Sequence, residues 1–262
     1  MITAALTFFT ITQGATPQNP VAPIPGYKLA WSDEFDYKGL PDAKRWNFEE
    51  GYVRNGEKQF YTKARLENVM VTKGMLTITA RQDGFQGHDV TSASIHTNGK
   101  FDFKYGYVEV KAKVPTGRGT WPAIWMLGSN IGKAGWPLCG EIDMMENVGY
   151  DPEKMHFNVH TKAYNHSIGT NKGANITVPK VWDAFHVYGM EWTADTIKWF
   201  FDGKQVFEFK KEGDDATKWP FFENQYLILN LAVGGGWGGQ KGIDPTIYPS
   251  KYEVDYVRIF QK

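Results

Sequence analysis

The stretch GEIDMMENVG, residues 140–149, sets carboxylates at Glu141, Asp143 and Glu146 and threads Ile142, Met144 and Met145 between them. Side chains of a β-strand point to alternate faces, so Glu141 and Asp143 share a face, while strict alternation sends Glu146 to the other. One extra residue in a β-bulge restores the parity. The spacing of two and then three therefore predicts a strand bulged at Met144-Met145. All three acids then line one face, and Ile142 and a methionine pack into a core behind them.

Outward from this strand the chain continues to read as β. GMLTITARQ (residues 74–82) and GYVEVKAKVP (residues 106–115) alternate apolar and polar positions, and KYEVDYVRIF (residues 251–260) does so again. DTIKWFFDGKQVFEFK (residues 195–210) is two short runs around Asp202-Gly203, a strong hairpin signal. YLILNLAVGG (residues 226–235) is nearly continuous in apolar residues, as a strand covered on both faces should be. No amphipathic helix of good length is evident. The segments 146–157 and 211–220 read as loops. Short strands with turns every ten or so residues predict an all-β chain: a two-sheet antiparallel β-jelly-roll sandwich, in which the outer face of a sheet can curve into a cleft.

The 262 residues suit one large domain or two small ones. Lys+Arg and Asp+Glu number 29 each, and this balance argues against capture of nucleic acid or of an anionic membrane. Cys139 is the single cysteine, which excludes an internal disulfide or a Cys-based zinc site. With no histidine within ten residues, it reads as a buried thiol. Ten tryptophans are many for this length. They serve either an aromatic core or platforms for the flat faces of sugars.

Residues 1–26 combine a short apolar run (4–11) with small residues at Gly14 and Ala15 and a proline-rich stretch (17–25). This pattern is that of a secretory signal and linker, although the basic start is missing, and a plain tail is the other reading. The expected organisation is a leader over 1–26 and a single domain over 27–262. The protein is expected to be monomeric and secreted, extracellular or periplasmic.

Same-face neighbours on a strand lie roughly 6–7 Å apart, and two carboxyl groups about 5–5.5 Å apart are the geometry of a retaining glycosidase. Three such acids cannot all ionise comfortably. One outer acid is expected to keep its proton as general acid, and the other to act ionised as nucleophile. Asp143, between them, hydrogen-bonds the nucleophile. A solvated acidic strand or a calcium site would not call for Trp121, Trp125 and Trp136 just upstream.

With GEIDMMEN, the segments SDEFD (32–36), TWPAIWMLG (120–128), YGMEWTADTIKWFFDG (188–203) and YEVDYVRIF (252–260) occur in the order that resembles glycoside hydrolase family 16, laminarinase-like branch. The resemblance spans residues 27–262. It implies a retaining endo-acting β-glycan hydrolase working on a polysaccharide, first of all a β-1,3-glucan, with no cofactor for catalysis. Glu141 would be the nucleophile, Glu146 the acid/base and Asp143 the assistant. His160 in FNVHT matches a family histidine near the acid/base, whereas His156 fits a structural reading better. Trp121 and Trp125, on one face, would stack on sugar unless one of them is core. Asn55 either reaches the cleft or caps its loop, and Trp237, between glycines, would touch substrate. Glu34 and Asp255 match the family's side-chain ligands for a structural calcium, with a backbone carbonyl near Gly74; bare surface acids are the alternative.

One residue departs from the branch. Ser94, in TSASIHTNGK, stands where laminarinases commonly carry an Arg that faces the cleft. Replacing a forked donor by a small hydroxyl changes which sugar hydroxyls are read. This brings an endo-β-galactosidase with the same catalytic residues beside the β-1,3-glucanase. A glucan-binding lectin on the same fold is a third reading, opposed by the presence of all three acids.

Overall fold

A computed structural model describes residues 20–262. The leader expected over 1–26 lies outside the described residues apart from its last seven. Two sheets face each other. The smaller has seven antiparallel strands in the order Lys172–Thr177, Lys154–His160, Glu141–Asn147, Thr120–Gly128, Gln225–Val233, Ser94–His96 and Asn47–Phe48. The larger has ten. Its path runs Lys204–Lys210, Thr196–Phe201, His186–Trp192, Gly106–Lys113, Ser250–Gln261, Met75–Gln82, Val90–Ser92 and Gln59–Tyr61, while Lys28–Asp33 and Val69–Thr72 pair off that path. The expected two-sheet sandwich holds with one correction: Gln59–Tyr61 and Val90–Ser92 run parallel.

The alternating runs become strands with one face inward. In Gly106–Lys113, Val108, Val110 and Ala112 are buried, and Glu109, Lys111 and Lys113 lie half-exposed. Asp202 and Gly203 both take positive φ, 47° and 77°, which closes the hairpin as the Asp-Gly signal requires. Gln225–Val233 is buried at every position because one face meets the core and the other the cleft floor. The segment read as a loop over 146–157 is half wrong. After a turn at Gly149 and Pro152, Lys154–His160 forms a strand whose Met155, Phe157 and Val159 are buried. Pro152 and the charges beside it mask this alternation in the sequence.

Tryptophan serves both of its expected uses. Trp46, Trp192, Trp199 and Trp219 are fully buried in the core, and Trp31 and Trp182 pack against it. Trp121, Trp125, Trp136 and Trp237 instead line a cleft of about 1050 Å³ on the outer face of the smaller sheet. Among the described residues no helix is long and apolar enough to cross a membrane.

Candidate active site

The bulge is present. Between Asp143 and Glu146 the acid strand advances three residues while its neighbour advances two, from Asn158 to His156. On the other side Asp143 faces Trp125 and Met145 faces Ile124, again one residue in excess. Glu141, Asp143 and Glu146 consequently all line the cleft. Ile142, Met144 and Met145 all enter the core, so the bulge buries both methionines rather than one. From the opposite sheet, the Trp199 indole crosses the core and donates to the Asp143 carbonyl at 2.8 Å, which pins the bulge from behind.

The acids are surrounded by donors. Trp136 Nε1 donates to Glu141 at 2.7 Å. Trp121 Nε1 and Asn158 Nδ2 donate to the two oxygens of Glu146 at 3.1 and 3.4 Å. His160 Nε2 lies 3.3 Å from Asp143 Oδ2 and 3.7 Å from Glu141 Oε1. Burial disfavours charge and pushes each carboxyl up to about 8, and for Glu141 and Glu146 the charge on Asp143 adds to this. At this proximity they titrate as one cluster.

The strand ladder corrects the two histidines. His160 stands opposite Glu141, whereas His156 stands opposite Glu146, the acid that His160 was expected to approach. His156 lines the cleft, packs edge-on to Trp237 with ring centroids 4.8 Å apart, and is held neutral by burial, its pKa pushed down to about 4. Strand alternation through Met155, Phe157 and Val159 is the signal that puts His156, Asn158 and His160 on the cleft face together.

The remaining expected residues are placed as follows. Trp121 is half-buried and meets Trp237 edge-on, centroids 5.5 Å apart. Trp237 is therefore packed between two rings, and Gly238 must be small because a Cβ there would come 2.9 Å from Trp121 Cβ. Trp125 shares the cleft face but is only 8% exposed; its Nε1 donates to Asn230 at 2.7 Å, and the Arg54 guanidinium lies over its ring at 4.9 Å. That ring face is covered by a cation and is not free for sugar. Asn55 fits both of its readings. It lines the cleft with φ of 58°, its amide donates to Glu57, and its carbonyl accepts from Gly236 N in the glycine-rich loop.

Ser94 does not reach the cleft as a sugar donor. It is fully buried and donates to Glu49 at 2.6 Å. Arg54, Glu49, Asn158, Tyr226 and Asn230 line the cleft and were not singled out in the sequence; for Arg54 and Glu49 no local pattern marks them. Cys139 is buried and burial pushes its thiol up to about 11, which fits an inert role.

Glu34 and Asp255 do not form a calcium pair. Glu34 accepts two hydrogen bonds from Arg258, at 3.0 and 2.8 Å, and Asp255 is paired with Lys111 at 2.7 Å. Both carboxylates already have cationic partners, so the residues as arranged do not fit a divalent ion. Among the described residues, the one cluster of three side chains able to share a metal is Glu141, Asp143 and His160 in the cleft itself.

This fold and site have known counterparts. A sequence profile of glycosyl hydrolases family 16 matches residues 56–258. A β-glucanase from Rhodothermus marinus is 48% identical over 246 residues, covering 90% of this chain and 86% of its own. The crystal structure of the laminarinase from Rhodothermus marinus superposes with a TM-score of 0.87 over 90% of this chain and 97% of that one, at 48% identity. A non-specific endo-β-1,3(4)-glucanase of the family superposes with a TM-score of 0.87 at 44% identity, over 93% of this chain and 94% of that one. The chain belongs to glycosyl hydrolases family 16 and is a glycosidase.

Proposed function

We propose that this protein is a secreted, monomeric, retaining endo-β-glucanase that cleaves internal β-1,3 linkages, with Glu141 as nucleophile, Glu146 as acid/base and Asp143 as the nucleophile's assistant. The observation that carries this reading is the bulge that brings three buried acids to one cleft face. Glu141 has the closer donor, the Trp136 indole at 2.7 Å against 3.1 Å from Trp121 to Glu146. Glu146 accepts a second hydrogen bond, from Asn158, and both outer carboxyls are pushed up to about 8, so the acids share protons as one cluster and the two roles rest on the order of the acids in the motif.

The Glu141 carboxylate attacks the anomeric carbon as Glu146 protonates the departing glycosidic oxygen, which leaves a glycosyl ester on Glu141. Water then gives its proton to Glu146 and attacks the same carbon, and Glu141 departs as carboxylate. Two inversions give net retention. His160 stands beside Glu141 and Asp143, its Nε2 3.7 Å from Glu141 and 3.3 Å from Asp143. Asn158 and Trp121 orient Glu146. Trp237 and the exposed part of Trp121 offer the aromatic surface for sugar rings. Residues 1–26 act as the leader, and 27–262 as a single catalytic domain.

The β-glucan assignment is supported by the glucanases among the relatives and by the cation that Arg54 places in the cleft, where the departure at Ser94 had left none expected. Incubation with laminarin, lichenan, agarose, galactan and mucin, followed by chromatography of the products, tests it. Laminarin should yield a ladder of short oligosaccharides early in the reaction. Activity on galactan or mucin with none on laminarin would replace it by the β-galactosidase reading.

A further inference from the structure

Five side chains close a ring at one side of the cleft. Ser94 donates to Glu49 Oε2 at 2.6 Å, and Glu49 N donates to the Ser94 carbonyl at 3.1 Å. The other Glu49 oxygen accepts from Arg54 Nη2. The Arg54 guanidinium lies over Trp125, Trp125 donates to Asn230, and Asn230 is the ladder partner of Ser94. Arg54 is about one-fifth exposed, lines the cleft, and its Nη1 is buried without an acceptor in the protein.

We propose that Arg54 is the sugar-reading cation of this cleft, and that Ser94 and Glu49 act as positioning residues that hold it over Trp125. The inference rests on the β-glucanase reading and names the residue that sets its substrate preference. Three physical facts carry it. A guanidinium presents several N–H groups in a rigid fork, suited to vicinal hydroxyl and ring oxygens. The guanidinium already lies over the Trp125 ring, so a sugar at this place meets the cation rather than that indole face. Among the described residues Glu49 is the carboxylate bonded to Arg54, and the small hydroxyl of Ser94 leaves its second oxygen for the cation. A basic side chain at position 94 would compete for the same carboxylate. Ser94 and Arg54 thus form one unit: the small residue on the strand permits the large one on the loop.

The test compares kcat/KM on laminarin for the wild type, Arg54→Ala, Arg54→Lys and the double variant Arg54→Ala/Ser94→Arg, with the Tm of each. Loss of a charge-assisted contact to sugar should lower kcat/KM of Arg54→Ala about 10- to 100-fold, mainly through KM. The Tm should fall as well, because Glu49 loses its cation, so the split between KM and kcat and the rescue by guanidinium separate sugar contact from stability. Arg54→Lys should recover only part of the loss, because a point charge lacks the fork. Millimolar guanidinium should raise the activity of Arg54→Ala and leave the wild type unchanged, a readout that a purely structural role would not move. The double variant should exceed Arg54→Ala. Arg54→Ala within twofold of the wild type on laminarin, or a loss that guanidinium and Ser94→Arg both fail to relieve, overturns the proposal. A wild type inactive on laminarin overturns the β-glucanase reading first, and this inference with it.

Discussion

Glu141 is one of three buried carboxyls in the cleft that the fold pushes up to about 8. Burial, followed by the charge on Asp143, pushes its carboxyl from 4.5 up to about 8, and the Trp136 indole and His160 relieve this only in part. A raised folded-state pKa means that the native protein binds more protons than the unfolded chain between those two values. The contribution to stability is therefore fully present below pH 4.5 and is lost as pH rises through about 8. Replacing Glu141 by the neutral, nearly isosteric glutamine removes that loss. At pH 5 the Tm of Glu141→Gln should match the wild type, and at pH 9 it should exceed it by about 3 °C or more. Calorimetry at the two pH values checks this; a difference in Tm that does not grow with pH would mean that Glu141 is not held protonated by the fold. The same variant should lose turnover by several orders of magnitude. Legibility at this scale was uneven. The acid triplet was readable because its spacing has one sensible geometric solution. His156 was not, since its relation to Glu146 depends on the bulge resetting the register of a neighbouring strand. Arg54 was invisible because a loop residue reaches the cleft through tertiary contacts that no local period encodes.

The element on which the site depends is the bulged strand Glu141–Asn147, and its geometry is enforced from both sides of the sheet. In front, the acids are spaced by the ladder to Thr120–Gly128 and Lys154–His160; behind, Met144 and Met145 fill the core and Trp199 bonds the Asp143 carbonyl. Trp199→Phe keeps the ring and deletes the donor. A buried carbonyl left without its partner costs about 1–3 kcal/mol, so Tm should fall by several degrees. Because the carbonyl belongs to the bulge, kcat should also drop, about 3- to 30-fold, while KM on laminarin changes little. A variant with lowered Tm and unchanged kcat would show that the indole only stabilises the core and does not set the acids. Strands with clean alternation, such as Gly106–Lys113, were legible, and so was the Asp202-Gly203 hairpin. The strand Lys154–His160 was hidden by Pro152 and adjacent charges. The parallel pair of Gln59–Tyr61 with Val90–Ser92 was hidden too, because strand direction is a property of the whole sheet and not of either segment.

At the scale of the molecule, one sheet serves as the floor of a cleft and the other as its support. The ten tryptophans divide between the two tasks, with four wholly in the core and four in the cleft. Composition announced both uses, but only position could divide them. The cleft, at about 1050 Å³, has the volume for several sugar rings beside the three acids. Glu34 and Asp255, expected to share a metal, are paired with Arg258 and Lys111, and these ion pairs link Glu34, just after Lys28–Asp33, to Ser250–Gln261 and Ser250–Gln261 to Gly106–Lys113. Charge balance along the sequence could not reveal these pairings. The central claim is that the acids perform two displacements at one anomeric carbon. Proton NMR recorded within the first minutes of laminarin hydrolysis tests it most directly. The account predicts that the new reducing ends appear first as the β-anomer, with the α-anomer rising later by mutarotation; an initial α-anomer would mean a single inverting displacement and would contradict the role assigned to Glu141.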